Sequence, residues 1–190
     1  MKPALLALAL LIALSACREE VADLPPPVTM SAAAVGHYCQ MNILEHPGPK
    51  AQVHLAGMAQ PLFFSQVHDA IAYQRLPEQS GLIRAIYVND MGVAPDWDDT
   101  GADNWIDATK AFFVVGSVRM GGMGAPELVP FAKSDAAAGF AAQNGGAVLR
   151  LAAIPDEDVL TPVELTPGTS DVEEQDYRER LRALSNETGG

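Results

Sequence analysis

The spacing of apolar residues changes along this chain, and each change marks an element. Ala51-Gln52-Val53-His54-Leu55-Ala56 alternates, with Val53 and Leu55 on one face. That is the period of a half-buried strand. Gly57 breaks it. Leu62-Phe63-Phe64, after Pro61, predicts a second strand and so a hairpin. The period then lengthens: Val67, Ala70, Ile71 and Gln74 share one side of a helix that Ser65 can cap and Pro77 stops. Leu82 to Val88 is nearly continuous in apolar residues apart from Arg84, which predicts a central strand covered on both faces.

Residues 89–110 read as a loop-rich link, after which the same order returns. Phe112-Phe113-Val114-Val115 predicts a strand. Leu128-Val129-Pro130-Phe131 predicts another, and its proline places it at an edge or a bulge. Ser134 can cap a helix whose inner side carries Ala136, Ala137, Phe140 and Ala141. Gly145-Gly146 ends it, and Ala147 to Leu151 is the closing strand. The segment Pro61–Ala70 echoes Val129–Ala136, which suggests an internal duplication. The expected fold is therefore α+β: two similar strand-strand-helix-strand units packed together, over residues 36–92 and 93–155.

The ends read differently. Lys2 precedes an apolar run from Ala4 to Leu14, too short to span a bilayer core, and Leu14-Ser15-Ala16-Cys17 follows. This predicts a signal peptide over 1–16 and a lipobox. Cys17 then becomes the acylated first residue, and the chain is held on the periplasmic side of a membrane. Arg18 and Glu19 follow the cysteine where inner-membrane retention would use Asp, so the outer membrane is the expected anchor. Residues 17–35 read as anchor and tether, with Leu24-Pro25-Pro26-Pro27-Val28 as a stiff polyproline spacer. Residues 156–190 form an irregular acidic tail with ten acidic and three basic side chains, −7 of the chain's net −12. Within it Ser170 and Glu173 fit a capping box ahead of a narrow stripe of Tyr177, Leu181 and Leu184. The negative balance argues against a nucleic-acid partner, which would need a basic face.

Acylation of Cys17 leaves Cys39 as a lone thiol in an oxidising compartment, a hazard unless the thiol is buried or holds a metal. Met41 stands two residues on. A thiolate and a thioether are soft donors that together select copper(I). On spacing alone, a buried inert thiol beside a packing methionine explains the pair as well. Gly36 and the Pro47-Gly48-Pro49 turn favour a loop here. His46 or His37 could add an imidazole nitrogen. Met120, in the glycine-rich run Arg119-Met120-Gly121-Gly122-Met123-Gly124, could add a second thioether. That run lacks the lysine and spacing of a phosphate cradle. The acidic group Asp96, Asp98, Asp99 and Asp103 lacks the pattern of a calcium loop and reads as solvated.

Several segments in order carry a resemblance: Cys39-Gln40-Met41, Pro47 to Gln52, Asn89-Asp90-Met91, Trp105 to Ala108, Gly116 to Gly124 and Pro130-Phe131. Together they resemble the nitrous oxide reductase accessory lipoprotein NosL family. The resemblance implies a periplasmic copper(I) chaperone without catalysis. It would deliver copper toward the copper-sulfide centre of nitrous oxide reductase, with the periplasmic component of an assembly ABC transporter as partner. It also implies a fold of paired strand-strand-helix-strand units similar to part of organomercurial lyase. Cys39 and Met41 match the family's metal-binding pair, with Met120 and His46 as candidates for a third ligand. Two alternatives remain at this stage. One is a structural lipoprotein with Cys39 buried and inert. The other is a thiol-dependent lyase, against which the lack of a second free thiol counts.

Overall fold

The computed structural model describes residues 24–162. The expected signal run, Cys17 and the capping box at Ser170–Glu173 lie outside the described residues. Ala51–Leu55 (β1), Leu62–Phe64 (β2), Ile83–Val88 (β3) and Ile106–Asp107 (β4) form one antiparallel sheet in the order β2-β1-β3-β4. Phe112–Val115 (β5), Val129–Phe131 (β6) and Ala147–Arg150 (β7) form the second, in the order β6-β5-β7. Helix α1 (Val67–Arg75) joins β2 to β3, and helix α2 (Ser134–Asn144) joins β6 to β7. Each unit therefore runs strand-strand-helix-strand with its first strand in the middle, which is the expected repeat. Pro130 lies on the edge strand β6, where its missing N–H removes no ladder bond on the open side.

The two units share one core. Val53, Phe64, Ile71 and Val88 of the first pack in one cluster with Phe113, Val115 and Leu128 of the second. Phe64 and Phe113 are almost completely buried, and each such side chain contributes about 1.5–3 kcal/mol on leaving water. A small separate cluster of Met30, Ala34 and Ile43, with Phe63 and Trp105 against it, underlies residues 30–45.

Four expectations change. First, β1 is buried along its whole length, not on one face. The proline-rich segment expected as a spacer covers the other face. Gln52 accepts from the Val28 N–H at 2.8 Å and donates to the Val28 carbonyl at 3.0 Å, while Tyr87 donates to the Pro25 carbonyl at 2.7 Å. A segment bonded in this way is part of the fold from Pro25 onward. Second, the link at 89–110 contains β4, which pairs with the end of β3. Third, the fold runs past 155. Glu157–Leu160 makes a short helix (α3) whose Val159 joins the main core, so the expected tail starts five residues or more too early.

Fourth, the serines do not cap. Gln66 and Lys133 stand at the N-caps of α1 and α2, and neither makes a side-chain cap bond. The start of α1 is served from the other unit. Glu127, just ahead of β6, accepts from the His68 N–H at 3.0 Å. This takes one of the free donors of the helix's first turn.

Candidate metal centre

Cys39 sits in a small hairpin turn. Val35 and Asn42 pair antiparallel, the Gly36 N–H donates to the Met41 carbonyl at 2.9 Å, and the Gln40 N–H donates to the Gly36 carbonyl at 2.9 Å. The turn is pinned to β2 by the His37 N–H, which donates to the Phe63 carbonyl at 2.6 Å. Beyond the turn, Asn42 caps a 3-10 turn over Ile43–Glu45, and the fully buried Ile43 anchors it. Cys39 is partly exposed, with its Sγ 3.9 Å from the Met41 carbonyl oxygen. A side chain on Gly36 would meet that sulfur, so glycine is needed there to leave the thiol its seat. The thiol is thus not the buried, inert one that the structural reading requires. Met41 is 45% exposed. The His37 ring packs against Tyr38, Phe64 and Tyr73, which gives that histidine an aromatic packing role.

The glycine-rich loop packs against the segment that follows this turn. A Cβ on Gly122 would stand 2.7 Å from His46 Cβ, 2.9 Å from the Pro47 carbonyl and 3.0 Å from the Ser65 carbonyl. His37 and Gly122 therefore meet the chain at Phe63, in β2, and at Ser65, just past its end. Gly121 is equally tight, between Glu127 Oε2 and Gln66 Oε1. Gln66 also accepts from the Met123 N–H at 3.1 Å. At the start of the loop, the Arg119 guanidinium lies 4.0 Å above the Trp97 ring. Met120 is left 46% exposed on a loop whose backbone is fixed.

His46 joins the two segments. Its Nδ1 is 3.2 Å from the Gly122 carbonyl. A carbonyl only accepts, so Nδ1 carries the proton and the neutral ring has its lone pair at Nε2. That nitrogen is buried with no hydrogen-bond partner. Thiol and thioether sulfur are soft donors of the kind that suit a soft ion, and an imidazole nitrogen is a borderline one. Among the described residues, no three His, Cys, Asp or Glu side chains gather so as to hold a metal.

Lys50 holds the neighbouring turn. Its ammonium donates to the His46 carbonyl at 2.7 Å and to the Gly48 carbonyl. Burial lowers its pKa to about 8, against the opposing pull of Glu127 and Asp98. Gly48 has φ +81°, and its N–H donates to the Trp97 carbonyl at 2.6 Å. The Asn89-Asp90 pair is structural. Asn89 Oδ1 accepts from the Lys50 N–H at 2.7 Å and from the Thr100 hydroxyl at 2.9 Å. Asp90 Oδ1 accepts from the N–H groups of Gly92 and Ala132 and so ties the two units together.

The NosL family model matches residues 27–159, from the segment laid over β1 to helix α3. The chain belongs to the NosL family. It is 58% identical to a copper-binding lipoprotein NosL of Achromobacter cycloclastes over 183 residues, 96% of this chain and 94% of that one. It is 36% identical to a copper-binding lipoprotein NosL of Stutzerimonas stutzeri over 149 residues, 77% of this chain and 76% of that one. The fold is similar to the crystal structure of the copper chaperone NosL from Shewanella denitrificans, with a TM-score of 0.62 and 30% identity. The match covers 68% of this chain and 97% of that one. These relatives are named as copper-binding lipoproteins and a copper chaperone, not as enzymes.

Of the site residues read from the sequence, Cys39 and Met41 share one turn, and His46 touches the loop that carries Met120. Cys17 lies outside the described residues. Sequence reasoning passed over Gln40, Gln66, Trp97 and Lys50. Only the position of Gln40, between the two sulfur residues, could have drawn attention to it.

Proposed function

We propose that this chain is a copper(I) carrier on the periplasmic side, anchored through acylated Cys17 with the outer membrane as its seat. No helix among the described residues is long and apolar enough to cross a membrane. Copper is the cargo. Cys39 and Met41 hold it, and Met120 completes the site, with His46 the second choice for that place. Copper(I) has a filled d shell and accepts two to four soft ligands in open geometries. A partly exposed thiolate and exposed thioethers can each be displaced in turn by a partner's sulfur, so the ion moves by ligand exchange without redox change. The acceptor is the assembly route to the copper-sulfide centre of nitrous oxide reductase, reached through the periplasmic component of an ABC transporter. The observation that carries the reading is the Cys39 thiol, held beside Met41 on a pinned, accessible turn.

The test is an anaerobic copper(I) titration of the full chain in detergent against a chromophoric chelator, for the native form and Cys39→Ser. Tight binding of one equivalent that collapses in the variant is expected. Equal affinity in both would sink the reading.

A further inference from the structure

We propose that Gln40 is the positioning residue of the copper site: its left-handed backbone, tied down by its own side-chain amide, sets the turn that presents Cys39 and Met41 together. The proposal rests on Cys39 and Met41 being the copper(I) ligands.

Gln40 has φ +56°, and among the described residues it is the sole non-glycine with a positive φ. That region suits glycine, then asparagine and aspartate, because a Cβ crowds the following carbonyl. A long side chain is held there against its preference, between the two sulfur-bearing residues. The turn shows why. His37 to Gln40 form a four-residue loop between Gly36 and Met41, whose backbone groups bond to each other. A short hairpin loop of this type returns the chain through a residue of positive φ at its end. Right after this residue, the Met41 carbonyl accepts from the Gly36 N–H at 2.9 Å and lies 3.9 Å from the Cys39 thiol.

The side chain fixes what the backbone alone would leave free. Gln40 Nε2 donates to the His37 carbonyl at 2.6 Å and lies 3.4 Å from the Gly36 carbonyl. The amide thus joins the last residue of the loop to the first. Glycine would adopt the same φ without strain but could not make this bond. The chain carries the residue that locks the turn, not the one that relaxes it. A ligand pair held ready binds its ion without first losing loop entropy.

The test compares the full chain in detergent with Gln40→Val, Gln40→Ala, Gln40→Gly and Cys39→Ser. Three quantities are read: copper(I) affinity, the alkylation rate of the Cys39 thiol without copper, followed on its own peptide, and the melting temperature. Gln40→Val should weaken copper(I) binding by about tenfold or more, since a β-branched residue resists the left-handed region most. Gln40→Ala should follow it, and Gln40→Gly should stay within about threefold of native, keeping the backbone but losing the amide. Alkylation rates should depart from native in the same order, with melting temperatures unchanged for this surface turn. Affinities of the Val and Ala variants within twofold of native, while Cys39→Ser loses binding, would overturn the proposal and leave the ligands standing. If Cys39→Ser binds like native, the ligand reading fails on its own. Alkylation rates equal in all Gln40 variants would then overturn the positioning role too. A lowered melting temperature with unchanged alkylation would make Gln40 a stability residue and nothing more.

Discussion

His46 Nδ1 and the Gly122 carbonyl, 3.2 Å apart, couple the segment after the Cys39 turn to the loop that carries Met120. Gly122 can come that close because it has no side chain. A methyl group there would press on His46 Cβ and on two backbone carbonyls, none of which can swing aside. Gly122→Ala should therefore destabilise the protein by about 1–3 kcal/mol, the usual range for overpacking. It should also weaken copper(I) binding by pushing Met120 away from the turn. Urea denaturation and chelator competition read the two effects separately. Native stability in the variant would show that the loop yields freely.

In the proposed site Met120 and His46 are the candidates for a third copper ligand, and the two substitutions should not behave alike. Losing a ligand should weaken binding by at least as much as losing an outer-shell partner, about tenfold or more. Met120→Leu keeps the bulk of an exposed side chain and removes only the sulfur, so its melting temperature should stay native while copper affinity falls. His46→Phe should leave affinity within a few fold but lower the melting temperature, since it breaks the bond to Gly122. X-ray absorption of the copper(I) form should then show sulfur neighbours and no imidazole. An imidazole signal lost in His46→Phe would reverse the assignment.

Much of the fold was legible because it follows from period. The alternation around Val53 and the 3.6-residue spacing of Val67, Ala70 and Ile71 are local properties, and they repeat in the second unit. What was illegible is non-local. Nothing near Gln52 says that Val28, far back in the chain, will cover it, so β1 read as half-buried. Ser65 is a good capping residue by type, but Glu127 reaches the helix start from the other unit. At the site, the spacing of Cys39 and Met41 alone fitted a buried core pair, and it was the turn around them and the family resemblance that singled them out as candidates. Neither could point to Gln40, whose proposed role lies in a backbone angle, or to the contact between His46 and Gly122 across 76 positions.

The covering of β1 makes its own prediction. Gln52 is fully buried, bonds both backbone groups of Val28, and its Oε1 lies 2.8 Å from His54 Nε2. Gln52→Leu fits the space but leaves the Val28 groups and the imidazole without partners. Each buried group left unpaired costs about 1–3 kcal/mol, so a loss of several kcal/mol is expected in urea denaturation. The segment from Leu24 to Met30 should also become open to limited proteolysis while the sheets stay intact. An unchanged cleavage pattern would mean that this segment is held by something other than Gln52.

Glu127 sets a pH dependence whose sign can be worked out. Burial raises its pKa from the ordinary 4.5 to about 8, against hydrogen bonds from the backbone of His68 and Leu128 that pull it down. Its Oε2 is buried without a hydrogen-bond partner. Between these two values the unfolded chain has released a proton that the folded chain retains, so the contribution of Glu127 to stability falls as pH rises from about 4.5 to 8. Lys50 does not blur that window. Its folded pKa of about 8 lies below the ordinary 10.5, so its contribution is level up to 8 and raises stability only above it. Glu127→Gln keeps a carbonyl to accept from His68 and Leu128 and removes the titration. Urea midpoints at pH 5, 6.5 and 8 should therefore decline more steeply for the native chain than for the variant, with the variant the more stable of the two at pH 8. Parallel declines would mean that Glu127 ionises in the folded state as readily as in the unfolded one.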